Sequence, residues 1–228
     1  MKHRFFVPDR VEAGATIALD SDERHHAHVL RVREGEEVEL FDASGKNYLA
    51  RFDSPDSLAI LHEAENREPR TENHLAMSII QLDKFELVLQ KATELGVASI
   101  VPLMTDRMEV RIERLRGKED RWKKIVFEAV KQSGRSKIPR IEPPLKFDDA
   151  IRREGTKIIF DADAPSGTQQ PSNPATLFVG PEGGFSEREL ELARASGASF
   201  EQLGPRRLRA ETAAIVAVAL VAARSGDI

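Results

Sequence analysis

The spacing of apolar residues differs between the first and the second part of the chain. In the first part, short apolar or alternating runs are separated by turn-forming residues at close intervals. This pattern is typical of a small β-barrel. One helical stretch, 22–30, interrupts the strands. The predicted strands are 4–7, 16–19, 37–41, 48–52 and 58–61.

The second part alternates strands with helices. Continuous apolar runs predict buried strands, and apolar residues three and four positions apart predict the helices. The alternation predicts an α/β layer with a mainly parallel sheet, and ligands of such sheets bind at the carboxyl ends of the strands. The predicted strands are 75–82, 97–103, 157–160, 177–179 and 199–203, and the clearest helices are 84–95, 122–130 and the helix that follows Ser186.

A polar segment, 63–73, lies between the two parts. Its sequence, EAENREPRTEN, contains Pro69 and is interpreted as a linker. The chain is therefore predicted to contain two domains, 1–70 and 73–228. The run 213–223 is apolar on every helical face, which predicts a helix that is buried or lies in an oligomer interface.

Composition excludes several classes of protein. The 34 Lys+Arg and 38 Asp+Glu residues give a net charge of −4, so a uniformly basic, histone-like binder is excluded. Cysteine is absent, which excludes disulfides and Cys-ligated zinc. The clustered histidines at 25, 26 and 28 lack metal-ligand spacing, and no metal is expected. The longest apolar run has 11 residues, against about 20 for a membrane span, and the charged first residues do not fit a secretory signal. A cytoplasmic protein is expected.

Charge is unevenly distributed. Residues 106–140 carry 12 basic and 6 acidic residues, a net of +6, whereas residues 1–72 have a net of −6. The basic segment is either an anion-binding surface or a solvated helix face with its loop.

Three turns combine glycine with charged or planar side chains. The segment 177–186 runs from a buried strand into GPEGGF, and Ser186 with Glu189 predicts a capping box for the next helix. This turn is neither a Walker A loop nor G-x-G-x-x-G, and an ordinary strand-to-helix turn is the alternative. In 203–213, Arg209 and Glu211 lie at the start of the apolar helix. Either they have a functional role, or they form a salt bridge that caps the helix. The third turn, 132–140, contains Arg and Gln side chains, whose planar groups can bind phosphate or base edges. The alternative is a solvated loop.

Taken in order, these segments resemble the ribosomal RNA small subunit methyltransferase E family. The resemblance covers nearly the whole chain. Met108, Arg207 and Ala210 depart from the family's usual serine, aliphatic residue and threonine. The matching segments are 4–7 (RFFV), 26–31 (HAHVLR) with Gly35, 90–97 (QKATELGV), 132–135 (QSGR) with Pro139, 180–185 (GPEGGF) and 208–213 (LRAETA).

The resemblance implies a fold and an activity. The fold would be an N-terminal PUA-like β-barrel, which binds RNA, followed by an α/β SPOUT domain with a trefoil knot, a feature too rare for sequence patterns to suggest. The protein would be a homodimer that uses S-adenosylmethionine, without a metal, to methylate N3 of a specific uridine in the 16S rRNA of the small ribosomal subunit. The alternatives are a non-catalytic RNA-binding or ribosome-assembly factor, and a knotted methyltransferase that acts on tRNA.

The resemblance also implies site residues. Glu211 is the candidate base and Arg209 the candidate for stabilising negative charge on a uracil oxygen, although Glu211 could simply hold Arg209 and Glu182 could face the ribose. The candidates for cofactor binding are Gly180, Pro181, Glu182, Gly183, Gly184, Leu203, Gly204, Leu208 and Arg209. The candidates for RNA binding are Arg4, His26, Arg31, Lys91, Gln132 and Arg135.

Overall fold

The structure is a computed structural model that describes residues 3–165 and 173–228. The chain forms two compact units. The first unit extends to Glu68 and also contains Val130–Ile138. The second unit consists of Pro69–Ala129 and Pro139–Ile228. The grouping of 130–138 with the first unit differs from the linear division that the sequence predicts.

The first unit is built on a five-stranded sheet. Its strand order is β1-β3-β4-β5-β2; β1 runs parallel to β3 and the other pairs are antiparallel. The inward side chains form one core that includes Phe5, Leu40 and Phe52. All five predicted strands and the helix are confirmed. They are β1 (Arg4–Val7), β2 (Thr16–Ala18), α1 (Ser21–Leu30), β3 (Glu37–Asp42), β4 (Asn47–Ser54) and β5 (Ser57–Glu63).

Helix α1 has a regular start and an unusual end. An Asp20 carboxylate oxygen accepts hydrogen bonds from the backbone N–H groups of Asp22 and Glu23, at 3.0 and 2.8 Å, which is a standard N-cap. The C-cap residue that follows Leu30 is Arg31, whose φ of 56° lies in the left-handed region. Glycine is the usual residue there, so an exposed arginine at this position is notable.

The second unit contains a parallel sheet. The strand order is β12-β10-β11-β6-β7-β8, β9 also pairs with β7, and every pair is parallel. The strands are β6 (Asn73–Ser78), β7 (Ser99–Met104), β8 (Arg140–Ile141), β9 (Leu145–Lys146), β10 (Thr156–Phe160), β11 (Ala175–Val179) and β12 (Ser199–Glu201). The helices are α2 (Leu82–Glu94), α3 (Glu119–Ser133), α4 (Phe147–Ala150), α5 (Glu187–Ala195) and α6 (Ala210–Ser225), with a 3₁₀ turn at Ile112–Leu115. The predicted α/β fold class is confirmed.

Hydrophobic cores cover both faces of this sheet. Successive strand residues point to opposite faces, so Leu75 and Met77 pack in one core while Ala76 packs in the other. The first core includes the buried side of α2 and α6, and the second includes α4 and α5. Burial on both faces explains why the strands are continuous apolar runs.

One predicted strand is shorter than expected. The apolar run 75–82 predicts a single strand, but β6 ends at Ser78 and α2 begins at Leu82. Ile79 and Ile80 are buried in the connection between them, so burial extends the apolar run beyond the strand. The elements that the sequence did not predict, β8, β9 and α4, have two to four residues each, too few to establish a period.

Candidate active site

A cavity of about 610 Å³ lies at the carboxyl ends of the strands in the second unit. Its wall comes from the segments that follow β10, β11 and β12, together with Arg107 after β7. The size suits a small-molecule ligand, and the location is the one expected for a parallel sheet. Of the nine predicted cofactor residues, eight line this cavity: Gly180, Pro181, Glu182, Gly183, Gly184, Leu203, Gly204 and Leu208.

Two glycines of the first turn, Gly180 and Gly184, suit its backbone. A Cβ atom on Gly180 would lie 3.2 Å from the carbonyl carbon of Gly184 and from the nitrogen of Phe185. Gly184 has a φ of 69° and donates its N–H to the carbonyl oxygen of Pro181 at 2.9 Å. The chain therefore folds tightly on itself and leaves main-chain groups at the cavity wall.

A buried carboxylate fastens this turn to the end of β7. Glu189 is fully buried, and its two oxygens accept hydrogen bonds from the backbone N–H of Asp106 at 2.9 Å and of Ser186 at 2.8 Å. The Ser186 hydroxyl accepts from the Glu189 N–H at 3.2 Å, which completes the predicted capping box. Arg107 adds a further link, because its Nη1 donates to the carbonyl oxygen of Gly183 at 2.8 Å.

An ion network continues from this link. Arg188 in α5 donates from Nε and Nη2 to both oxygens of Asp106, each at 3.0 Å, and from Nη1 to Asp148. The Ser186 hydroxyl donates to Asp106 at 2.6 Å. The hydrogen bonds from Arg188 and Ser186 lower the pKa of Asp106, and Asp106 raises the pKa of Arg188. The turn, β7 and α4 are thus connected through charged groups at the surface.

The second turn carries its side chains differently. Arg209 is the N-cap residue of α6, its side chain makes no cap hydrogen bond, and it is exposed. It is the one predicted cofactor residue outside the cavity wall. Glu211 is only 8% exposed, and its Oε2 has no hydrogen-bond partner among the described residues. The capping salt bridge between Arg209 and Glu211, which the sequence leaves open, is not among the ion pairs of the described residues. A carboxylate in the first helical turn is favoured by the helix dipole.

Two arginines predicted to bind RNA are buried in the first unit. Arg4 is 8% exposed; its Nη1 donates to the carbonyl oxygens of Val130 and Arg135, at 3.1 and 2.8 Å, and its Nη2 donates to Asn47 at 2.6 Å. Burial lowers the pKa of Arg4 to about 10. These contacts give Arg4 the task of holding the end of α3, and RNA contact by Arg4 stays a prediction.

Arg135 is buried in an ion pair with Glu68. Arg135 is 4% exposed, and its Nη2 lies 2.8 Å from a Glu68 oxygen. The other Glu68 oxygen accepts from the backbone N–H groups of Ser136 and Lys137, at 2.7 and 2.9 Å. Burial raises the pKa of Glu68, but the hydrogen bond and charge of Arg135 and the two backbone hydrogen bonds together lower it below its usual value. The predicted linker therefore holds a buried carboxylate, and Arg135 has a structural partner that the sequence did not reveal.

The other predicted RNA contacts differ in accessibility. Arg31 and Gln132 are exposed. Lys91 is half-buried and pairs with Glu94 at 2.8 Å. His26 is half-buried, with its ring edge-on to that of Phe5 at a centroid distance of 5.5 Å. The accessible members of the set are therefore Arg31 and Gln132.

Arg107 is the main site residue that sequence reasoning missed. It lines the cavity and binds the glycine turn 76 positions away. No pattern in the sequence around Arg107 indicates a contact with Gly183. Arg206 and Arg207 also line the cavity and were not among the candidates.

Across residues 3–165 and 173–228, no group of three or more His, Asp or Glu side chains is arranged to hold a metal ion. In the same residues no helix is both long and apolar enough to cross a bilayer.

Comparison with known proteins gives this architecture a class. Residues 66–222 match the model of the RNA methyltransferase domain, and residues 19–60 match that of the RNA methyltransferase PUA domain. The two matches define an RNA methyltransferase with a PUA-like domain.

Individual relatives are more specific. Ribosomal RNA small subunit methyltransferase E of Aquifex aeolicus is 32% identical, over 96% of this chain and 98% of that one. The crystal structure of the enzyme of that name from Neisseria gonorrhoeae, bound to S-adenosyl methionine, is 34% identical with a TM-score of 0.88, over 98% of each chain. A Legionella pneumophila structure in complex with the same cofactor is 35% identical with a TM-score of 0.84, also over 98% of each chain. The chain belongs to the ribosomal RNA small subunit methyltransferase E family.

Proposed function

We propose that this protein methylates N3 of a specific uridine in the 16S rRNA of the small ribosomal subunit, with S-adenosylmethionine as the methyl donor. The observation that carries the proposal is the cavity at the strand ends, whose wall is formed by both glycine-containing turns. The relatives' name supports the substrate class, and the cofactor bound to the relative from Neisseria gonorrhoeae supports the donor.

The donor fits the cavity in size and chemistry. Gly180–Gly184 and the segment from Leu203 to Leu208 bring main-chain groups and apolar side chains to the cavity wall. Adenine is recognised by such groups, because its edges need hydrogen bonds and its faces need apolar contact. Glu182 is the member of this set that could reach a ribose hydroxyl; it is half exposed and lies 3.6 Å from Lys84. S-adenosylmethionine would supply an electrophilic methyl group.

The acceptor needs help from the protein. N3 of uracil is a weak nucleophile while it carries its proton, so a base that removes this proton accelerates attack, by about 10²–10⁴-fold in typical cases. Glu211 is our proposed base: its carboxylate is buried at the start of α6, and one oxygen has no partner among the described residues. Arg209 is exposed beside it and is proposed to stabilise negative charge on a uracil oxygen. The acceptor must be unpaired or flipped, because pairing hides N3.

Helix α6 supports the proposal of a homodimer. Ala214, Ala217, Val218 and Val221 are buried in the core of the second unit. On the rest of its surface, Val216 is 36% exposed and Ile215 and Leu220 are half-buried. An apolar helix surface of this kind suits a second copy of the chain. The trefoil knot and a cytoplasmic location belong to the same proposal. Light scattering at micromolar concentration should give the dimer mass.

The deciding experiment uses ribosomal RNA from cells. Mass spectrometry of 16S rRNA from a strain that lacks this gene should show the loss of one N3-methyluridine, which returns when the gene is restored. Restoration with the Gly183→Val variant should fail, because a Cβ atom at this position already lies 3.5 Å from Arg107 and the larger side chain would crowd that residue at the cavity wall. Unchanged 16S rRNA together with a lost tRNA methylation would contradict the proposed substrate. Calorimetry that shows no binding of S-adenosylmethionine would contradict catalysis.

A further inference from the structure

Three exposed arginines border the cavity. Arg107 follows β7, and Arg206 and Arg207 follow β12. Within the described residues, none of the three lies within ion-pair distance of a carboxylate. Arg4 and Arg135 differ from them, because both are buried and hydrogen-bonded inside the first unit. We call the three exposed residues the arginine rim.

Among the described residues, the acidic side chains of the same cavity form no ion pair with the arginine rim. Glu187 pairs with Arg194 at 2.9 Å, and Glu182 lies near Lys84. Asp161 and Asp163 follow β10, and an Asp161 oxygen accepts the Asp163 N–H at 2.9 Å. Asp106, next to Arg107 in the chain, is bound by Arg188 and Ser186. Within the described part of the chain, the three arginines therefore form no ion pair, and the one carboxylate shown to feel the charge of Arg107 is Asp106, which Arg188 already binds.

One member of the rim is already held in place. Arg107 donates from Nη1 to the carbonyl oxygen of Gly183 at 2.8 Å, so its guanidinium is positioned beside the glycine turn. A fixed guanidinium loses less side-chain entropy when it binds an anion, and its planar fork suits phosphate oxygens. Arg206 and Arg207 are adjacent on the facing loop, where they can follow the course of a flexible backbone.

We propose that the arginine rim binds the RNA phosphates that flank the acceptor uridine. This proposal rests on the proposed function. A nucleotide that enters the cavity brings its two neighbouring phosphates to the mouth, where the rim lies. The donor has a single carboxylate, so three unpaired arginines exceed what it can use. Arg207 is also the position at which this chain departs from the aliphatic residue of the family it resembles, so the rim is a property of this chain's own sequence.

The test measures how salt affects RNA binding. The probe is a fluorescein-labelled single-stranded RNA that contains the acceptor uridine, and binding does not require turnover. Each neutralised phosphate contributes about 0.7 to the slope of log affinity against log salt, so Arg206→Gln/Arg207→Gln should flatten the slope by about 1.4. The affinity for S-adenosylmethionine, by calorimetry, should stay within about twofold. The double lysine variant should restore most of the slope, because the charge is kept.

Arg152→Gln is the matched control. Arg152 is an exposed arginine of the same unit, it does not line the cavity, and it has no ion-pair partner among the described residues. Its variant should keep the wild-type slope. Arg107→Lys should retain the slope but weaken cofactor binding, because lysine cannot reproduce the guanidinium contact with Gly183.

Three results would overturn the proposal. A wild-type slope in the double glutamine variant would remove the rim from RNA binding. An equal change in Arg152→Gln would make the effect one of net charge. A tenfold loss of cofactor affinity with an unchanged slope would assign the arginines to the donor's carboxylate. Circular dichroism establishes that each variant is folded. If instead the wild-type protein fails to methylate 16S rRNA while the rim variants change the slope, the proposed function fails and the rim remains an RNA site.

Discussion

The two turns that form the cavity wall are built on opposite principles. Both leave a parallel strand, contain glycine and lead into a helix. In the turn 180–186, hydrogen bonds hold the backbone in place: Glu189, Ser186 and Arg107 connect it to the end of β7. In the segment 203–211, the N-cap side chain is unused and a buried carboxylate oxygen lacks a partner among the described residues.

The first turn is therefore suited to maintaining the shape of the cavity wall, whereas the second carries the groups proposed to react. A turn whose backbone is held by several hydrogen bonds keeps one conformation and can act as a rigid surface for a ligand. A buried carboxylate oxygen without a hydrogen-bond partner costs stability, and a group that donates a hydrogen bond to it would remove this cost. We therefore expect substitutions in the first turn to affect folding and cofactor binding, and substitutions in the second to affect RNA binding and the reaction.

The largest expected effect concerns Glu189. Glu189→Ala removes both carboxylate hydrogen bonds and leaves two backbone N–H groups without their acceptor. We expect the free energy of unfolding to fall by about 3 kcal/mol. Urea denaturation measures this change, and Glu191→Ala, an exposed position on the same helix, should change it by less than about 0.5 kcal/mol. A similar loss in both variants would show that the carboxylate does not fasten the turn.

The next effect concerns Glu211. If Glu211 is the base, as proposed, Glu211→Gln should lower the single-turnover rate by at least about 10²-fold at saturating cofactor and RNA. Cofactor affinity should be nearly unchanged. The defect should shrink as the pH rises, since more uracil then loses its N3 proton without help. Glu191→Gln serves as the control. A defect that is independent of pH would indicate that Glu211 positions the substrate instead.

Sequence and structure agree where the determinants are local. The glycine turn and the Ser186–Glu189 capping box lie within ten consecutive residues, and the spacing alone predicted them. The partners of Arg4 and Arg135 could not be predicted because they are distant in the sequence: Arg4 binds a carbonyl 131 positions away, and Arg135 binds a carboxylate 67 positions away. A sequence pattern shows a charge but not the group that neutralises it.

A smaller effect distinguishes two glycines of the first turn. Gly180→Ala would bring a methyl group to 3.2 Å from two backbone atoms, and the fastened turn cannot move aside. The unfolding free energy should fall by about 1–3 kcal/mol. In Gly183→Ala the nearest atom is Cδ of Arg107 at 3.5 Å, an ordinary contact, so stability should change little. Thermal or urea unfolding compares the two, and equal losses would mean that packing in the turn is not the determinant.

The smallest effect concerns Asp106 and depends on pH. Its pKa is lowered in the folded protein by Arg188 and Ser186, so ionised Asp106 favours the folded state at neutral pH. This contribution is lost as the pH falls through the folded-state pKa. The network is exposed, so Asp106→Asn should cost less than about 1 kcal/mol at pH 7. Denaturation at several pH values should show the wild type and the variant converging in acid. A difference that persists in acid would exclude charge as its source.

Arg31 has a consequence for protein engineering. An L-residue in the left-handed conformation is less favourable than glycine there, by on the order of 1 kcal/mol. A redesign guided by stability alone would replace Arg31 with glycine at the end of α1. The same change would delete an exposed cation from the first unit, at a position where an RNA contact is predicted. Thermostability and RNA affinity therefore make opposing demands on this one position, and variants selected for heat resistance should be screened for RNA binding before they are adopted.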